Sequence, residues 1–168
     1  MKSWIKITGL LSLMLNMAVA GATCPFFDSI QYKGQYLSID ERTPFPQSEK
    51  YWQWVQDLSW CSAHNQGAPQ YQIIGQEVFL VGFSACGESP DLSELYPDEI
   101  TRQGLKETTP KIKATFLNGS IYAYGGEKAC WHGMCAVLQD EWIFEIENGN
   151  LKWVTQHPNP NAAELCER

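Results

Sequence analysis

The chain predicts a mainly β, β-rich α+β domain: an antiparallel meander of about four hairpins forming a small barrel or sandwich, with one or two short helices and three disulfides. Three observations carry this. Short runs of alternating apolar and polar residues recur along the chain, turn dipeptides separate them, and six cysteines follow an export signal.

The first hairpin is expected at Ile30 to Ile39, where Lys33-Gly34 interrupts two alternating runs. Pro44-Phe45-Pro46 then breaks the chain, and Ser48 offers a cap to a short helix over Glu49 to Val55. Tyr71 to Ile74 and Glu77 to Phe83 are rich in β-branched and aromatic residues and flank a tight turn at Gly75-Gln76, which predicts a second hairpin.

From Gly87 to Pro110 the composition shifts to Glu88, Asp91, Glu94, Asp98 and Glu99 among Ser and Pro, so this reads as an exposed acidic excursion. Asp91 to Tyr96 has room for one or two helical turns, stopped by Pro97. Two Asn-Gly signals follow. Asn118-Gly119 predicts a hairpin between Lys111 to Phe116 and Ile121 to Tyr124, and Asn148-Gly149 predicts another between Trp142 to Ile146 and Leu151 to Val154. No repeat, linker or second domain is visible.

The amino terminus bounds the compartment. Residues 1 to 22 have a basic start in Lys2 and Lys6, an apolar stretch from Ile7 to Val19, and small residues ending at Ala20 or Ala22, which is the pattern of a cleaved signal peptide. The stretch is interrupted by Thr8, Ser12 and Asn16 and is too short for a permanent membrane anchor. Residues 23 to 168 are then a single domain, periplasmic or secreted. Cleavage removes two of the 12 basic residues and none of the 19 acidic ones, leaving 10 against 19 and a formal charge of −9. Such a surface excludes a nucleic-acid role and favours a basic protein partner if it recognises a protein.

Export also sets the cysteine chemistry. Cys24, Cys61, Cys86, Cys130, Cys135 and Cys166 all follow the signal, so three bridges are expected. Proximity suggests Cys130 with Cys135, Cys61 with Cys86, and Cys24 with Cys166. The segment Cys130-Trp131-His132-Gly133-Met134-Cys135 collects soft ligands suited to Cu(I). Oxidation of both thiols leaves only His132 and Met134 as candidate ligands, and a structural staple is the favoured reading. No cofactor is expected.

Catalytic signals are sparse. His64, His132 and His157 all fall in predicted loops, and no Gly-x-Ser-x-Gly elbow accompanies them. Glu145 and Glu147 share a strand face across Ile146, which exposed charges opposite a buried side explain as well as a catalytic pair does. Aromatic residues are plentiful, and Tyr51, Trp52, Trp54 and Trp60 crowd a segment too short to bury them all. Together with Asp91, Glu94, Asp98 and Glu99 they form the candidate binding surface. Asn118-Gly119-Ser120 is also a glycosylation acceptor pattern, though the turn alone accounts for it.

Tyr32-Lys33-Gly34-Gln35-Tyr36, Ala114-Thr115-Phe116-Leu117-Asn118-Gly119-Ser120-Ile121 and Phe144-Glu145-Ile146-Glu147-Asn148-Gly149 together resemble a group of small uncharacterised bacterial proteins with a YKG-Y opening, a central A-W/F-x-x-G segment and an EIENG-like ending. The resemblance runs from about Ile30 to Val154 and implies one compact bacterial domain. It implies no activity or catalytic residue. The leading functional expectation is a non-enzymatic binding protein of the envelope, such as an immunity or inhibitor protein for a toxin or lytic enzyme. A glycan binder using the aromatic patch is the alternative, and a hydrolase with an unidentified carboxylate pair comes third.

Overall fold

Lys33 and Gly34 adopt φ values of +49° and +82°, the geometry a two-residue hairpin turn demands. They join β1 (Asp28–Tyr32) to β2 (Gln35–Ile39) in antiparallel register, so the first expected hairpin is present. The computed structural model describes residues 28–39, 41–58, 67–84, 89–102, 110–133 and 135–167. The expected signal segment and the Cys61 with Cys86 pairing lie outside them.

Helix α1 (Glu49–Asp57) starts where the sequence places its cap: the Ser48 hydroxyl oxygen accepts the Tyr51 N–H at 3.0 Å. The same hydroxyl donates to the Leu95 carbonyl at 3.0 Å and so ties α1 to α2 (Leu92–Leu95). Ser48→Ala removes both bonds, and the expected loss is about 1–2 kcal/mol in urea denaturation; a change under a few tenths would mean water replaces them. Pro97 stops α2 as expected, then opens a further helix, α3 (Pro97–Arg102), as a first-turn proline can. The excursion is not simply exposed. Leu92, Leu95 and Tyr96 are buried, and the Tyr96 hydroxyl donates to the Pro46 carbonyl at 2.6 Å.

Strands β3 (Ala68–Ile74) and β4 (Glu77–Ser84) form the second expected hairpin. Here the meander is interrupted: β3 lies parallel to β1, a pairing the crossover through α1 permits. The short β5 (Ile112–Lys113) pairs with β4 at Phe79 and Leu80. Long arms β6 (Gly119–His132) and β7 (Cys135–Glu147) pair with each other, and β8 (Asn150–Pro158) returns along β7 through Asn148-Gly149, completing the expected last hairpin. Helix α4 (Ala162–Glu167) ends the described chain.

All eight strands belong to one sheet, in the order β3-β1-β2-β6-β7-β8-β4-β5. The β3 to β4 pairing joins its two sides, so the pairings run in a closed ring. Ile30, Leu37, Leu80, Phe83, Phe144 and Ile146 fill the interior at 2 % exposure or less. Phe45, Tyr51 and Trp54 pack around Phe83 with ring centroids 5.3, 5.0 and 6.0 Å away, bringing α1 against the core.

The hairpin expected around Asn118-Gly119 does not form. Ala114 and Leu117 are fully buried, which draws the segment after β5 under the β7–β8 turn instead of folding it onto β6. Asn118 Oδ1 accepts the Asn148 N–H at 2.8 Å, and the Leu117 carbonyl accepts the Gly149 N–H at 3.1 Å. A hairpin between β6 and β7 replaces it, with Gly133 at φ +60° near its tip.

The disulfide pattern is corrected as well. Cys130 bonds Cys166, with Cα atoms 5.8 Å apart, so neither Cys130 with Cys135 nor Cys24 with Cys166 is formed. Register explains this: Cys130 faces Val137 across the hairpin and Cys135 faces His132, so the two cysteines are not opposite. Cys135 is itself disulfide-bonded. One bridge is complete among the described residues. No helix among them is long and apolar enough to cross a membrane.

A buried carboxyl lies at the start of β1. Asp28 Oδ2 accepts the Thr43 N–H at 2.5 Å and the Thr43 hydroxyl at 2.6 Å, while Tyr71, 3.1 Å from that hydroxyl, donates to the Pro44 carbonyl at 3.0 Å. Burial raises the Asp28 carboxyl above its ordinary 3.8, outweighing the bonds from Thr43 and the charge of Arg42. A carboxyl raised by folding holds its proton more tightly in the folded chain. Its contribution to stability therefore falls as pH rises from 3.8 to the raised value and stays constant above it. Asp28→Asn keeps a carbonyl for Thr43 and is expected to remove that fall. Urea denaturation of both proteins from pH about 4 upward checks this, and parallel curves would contradict it.

Candidate functional site

Residues paired across antiparallel strands share a face, so the register of β6, β7 and β8 defines an outer surface in three rows. Ser120, Glu145 and Trp153 form one, Tyr122, Ile143 and Thr155 the next, and Tyr124, Glu141 and His157 the third. Ser38 of β2 extends the third row beside Tyr124. The intervening Ile121, Ala123 and Phe144 point into the core, which is why the aromatic residues between them face outward. Tyr122 and Trp153 remain 45 % and 49 % exposed.

Glu141 is buried in this surface, and a buried carboxylate needs partners. The Tyr124 hydroxyl donates to its Oε1 at 3.2 Å, and His157 Nδ1 lies 3.3 Å from its Oε2. Nearby, the Ser120 hydroxyl donates to Glu145 at 2.6 Å. Lys152 pairs with Glu147 at 2.7 Å and holds its carboxyl below the ordinary value. Glu145 and Glu147 are thus engaged separately.

Beside the third row, helix α4 and the outer sheet enclose a cleft of about 210 Å³. Val137 and Leu138 of β7 and Leu165 of α4 give it apolar walls, and Ser38, Tyr124, His132, Asn159 and Asn161 supply polar groups. Asn159 places the helix: its backbone N–H donates to the Gln139 carbonyl at 2.7 Å, its side-chain amide donates to the Leu138 carbonyl at 2.9 Å, and its Oδ1 accepts the Asn161 N–H at 3.0 Å. No α4 side chain is buried. The far end of the helix is held by the Cys130–Cys166 bond and by His132, whose Nδ1 lies 3.0 Å from the Leu165 carbonyl. A carbonyl only accepts, so Nδ1 carries the proton and a neutral His132 leaves Nε2 as an acceptor.

His132 and His157 therefore sit on strands, not in loops, and His64 and Met134 lie outside the described residues. Among the described residues no group of three or more His, Cys, Asp or Glu is placed to hold a metal. The other sequence candidates cluster at the α1 to α3 side. Tyr51 is buried, donates to the Gly67 carbonyl at 3.1 Å and has its phenol pushed up to about 12 by desolvation, so it belongs to the core and not to a surface. Trp54 is half-buried against Phe83, whereas Trp52 is 47 % exposed. Trp60 lies outside the described residues. Asp91, Glu94 and Asp98 are exposed and Glu99 is partly so; Asp91 caps α2 by accepting the Ser93 hydroxyl at 2.6 Å and N–H at 2.7 Å, and these bonds hold its carboxyl below the ordinary value.

Sequence reasoning did not single out Tyr122, Tyr124, Glu141, Asn159 or Asn161. The alternation Ser120-Ile121-Tyr122-Ala123-Tyr124 already separates an aromatic outer side from an aliphatic inner one, so the two tyrosines had a readable signal. Glu141 and the two asparagines gain their roles only from register and from the return of α4. No family model matches the chain, and no curated protein or solved structure matches it.

Proposed function

We propose that this protein is an exported, non-enzymatic binding protein whose ligand enters the cleft between α4 and the outer face of β2, β6 and β7. One observation carries the reading: the cleft combines apolar walls with a few polar side chains and draws them from four separate elements, the usual make-up of a small-ligand site. Its backbone frame is braced by hydrogen bonds and a disulfide, so little ordering is left for the ligand to drive. Thermal unfolding with a panel of saccharides, acyl amphiphiles and short neutral peptides tests it. A ligand at about a hundredfold its Kd stabilises by about 2.7 kcal/mol, which is a rise of about 5–10 °C for a domain of this size. Val137→Trp, which fills the cleft from the face of β7 that α4 covers, is expected to abolish that rise, and an undiminished shift in the variant would place the ligand elsewhere.

A second reading is favoured by the packing of α1 on α2. The Ser48 to Leu95 and Tyr96 to Pro46 bonds tie α1, which carries the exposed Trp52, to α2, which carries the exposed Glu94 beside its Asp91 cap. An immunity or inhibitor protein capping a basic active-site rim would use such a surface, because complementary charge speeds encounter. Recovery of a basic partner from periplasmic extract, with association slowed by Glu94→Lys and by salt, is the expected result. Repeated recovery of no partner would count against this reading.

A further inference from the structure

We propose that the occupant of the cleft is one neutral sugar ring, and that the saccharide chain continuing from it lies over Tyr122 and Trp153. This rests on the reading of the cleft as a ligand site and adds the chemistry of the ligand.

Volume sets the first limit. At about 30 Å³ per water, about 210 Å³ holds some seven waters or one hexose-sized ring. Hydrogen bonding sets the second. A neutral His132 presents an acceptor nitrogen, the Ser38 hydroxyl both donates and accepts, and the Asn161 amide offers one group of each kind. A ligand that satisfies all three in a small volume needs groups that donate and accept in turn, which is what ring hydroxyls do. An alkyl chain of the same size would strip water from these groups without replacing it, at the cost of their desolvation. Val137 and Leu165 match the C–H face that a pyranose also carries.

Charge sets the third limit. Glu141 lies behind Tyr124 at the cleft wall, and Glu145 and Glu147 follow along β7. An anionic ligand would meet these carboxylates and the acidic chain as a whole, so a neutral saccharide fits better than an acidic one.

The direction of the chain follows from the register. Tyr124 belongs both to the cleft and to the outer sheet; Tyr122 lies one row further, about 7 Å along β6, and Trp153 stands two strands across. Both rings are half-exposed on strands whose other faces are fixed in the core, so they offer flat platforms at low entropic cost. Ser120, Glu145 and Thr155 surround them with hydroxyl and carboxylate acceptors for sugar O–H groups.

Calorimetric titration of the exported protein tests this with glucose, mannose and N-acetylglucosamine and their linear oligomers, alongside decanoate and a neutral tripeptide. Affinity is expected to rise with chain length in at least one saccharide series. Val137→Trp should remove binding at every length. Tyr122→Ala with Trp153→Ala should spare the single sugar and weaken the longer chains about tenfold. Circular dichroism confirms that each variant is folded, and Asn161→Trp at the cleft rim replaces Val137→Trp if that variant is not. If decanoate or the tripeptide binds in the cleft and no saccharide does, the saccharide proposal fails while the ligand site stands. If nothing binds in any series, both fail. Length-dependent binding that survives the cleft-filling variant would also overturn the proposal.

Discussion

Gly149→Ala is expected to cost about 3 kcal/mol or more, because the added methyl group meets backbone atoms that cannot swing away. Gly149 has φ +68°, and a Cβ there would stand 2.6 Å from the Ala114 carbonyl oxygen and 2.9 Å from the Thr115 nitrogen. These are backbone atoms, so no side chain can swing away. The residue is bonded on both sides as well: its N–H donates to the Leu117 carbonyl at 3.1 Å, and its carbonyl accepts the Val78 N–H at 2.9 Å. Relieving the clash therefore strains β4, the buried Ala114 to Leu117 segment and the β7–β8 turn together. Gly34→Ala is the control, because Gly34 also has positive φ but a Cβ there meets nothing within 4 Å. Left-handed backbone alone costs about 1–2 kcal/mol. Chemical denaturation of the two variants separates the terms, and equal losses would show that Gly149 is a turn residue and not a wedge.

This same glycine marks where the sequence is legible and where it is not. Lys33-Gly34, Gly75-Gln76 and Asn148-Gly149 announce three hairpins correctly because each turn is settled by the φ tolerance of adjacent residues. The Ser48 cap is readable for the same local reason. Asn118-Gly119 has the same dipeptide as the last turn but makes no hairpin, since burial of Ala114 and Leu117 against a distant turn outweighs local preference. The parallel β1 to β3 pairing and the ring closure through β3 and β4 are contacts across long sequence separations that no local pattern encodes.

Cysteine spacing misled in a related way. Nearness along the chain joined Cys130 to Cys135, but the two arms of β6 and β7 continue past that point and their register sets these thiols against other residues. The candidate cleft draws on residues from Ser38 to Leu165, so its parts are separated by most of the domain. Of its lining, His132 and Cys135 stood out in the sequence, and the outward Tyr124 had a readable signal of its own. Tyr51 fails as a surface residue because the i, i+3 spacing with Trp54 turns both toward Phe83, leaving Trp52 outside.

Loss of the Cys130–Cys166 bond, in a Cys130→Ser, Cys166→Ser double variant, is expected to release α4 and dismantle the cleft. The bond spans 36 residues, for which chain entropy gives a stabilisation of about 3–4 kcal/mol. The local consequence is sharper than the global one. No side chain of α4 is buried, and its far end is held by the disulfide and by the His132 to Leu165 contact. Exposed hydrogen bonds, worth about 1 kcal/mol each, offset little of the entropy of ordering a six-residue helix with no buried side chain. Hydrogen exchange should therefore lose protection at Leu165, whose N–H donates to the Asn161 carbonyl at 3.0 Å, while Phe144 and Ile146 keep theirs at reduced global stability. The double variant is a cleaner test than a reductant, because Cys135 is also disulfide-bonded and would be reduced with it. Undiminished protection at Leu165 would show that α4 docks by packing alone. With the helix released, Val137 faces water and the wall formed by Leu165 is gone, so ligand binding in the cleft should fall with it. An oxidising compartment would then be needed to assemble the site as well as to stabilise the fold.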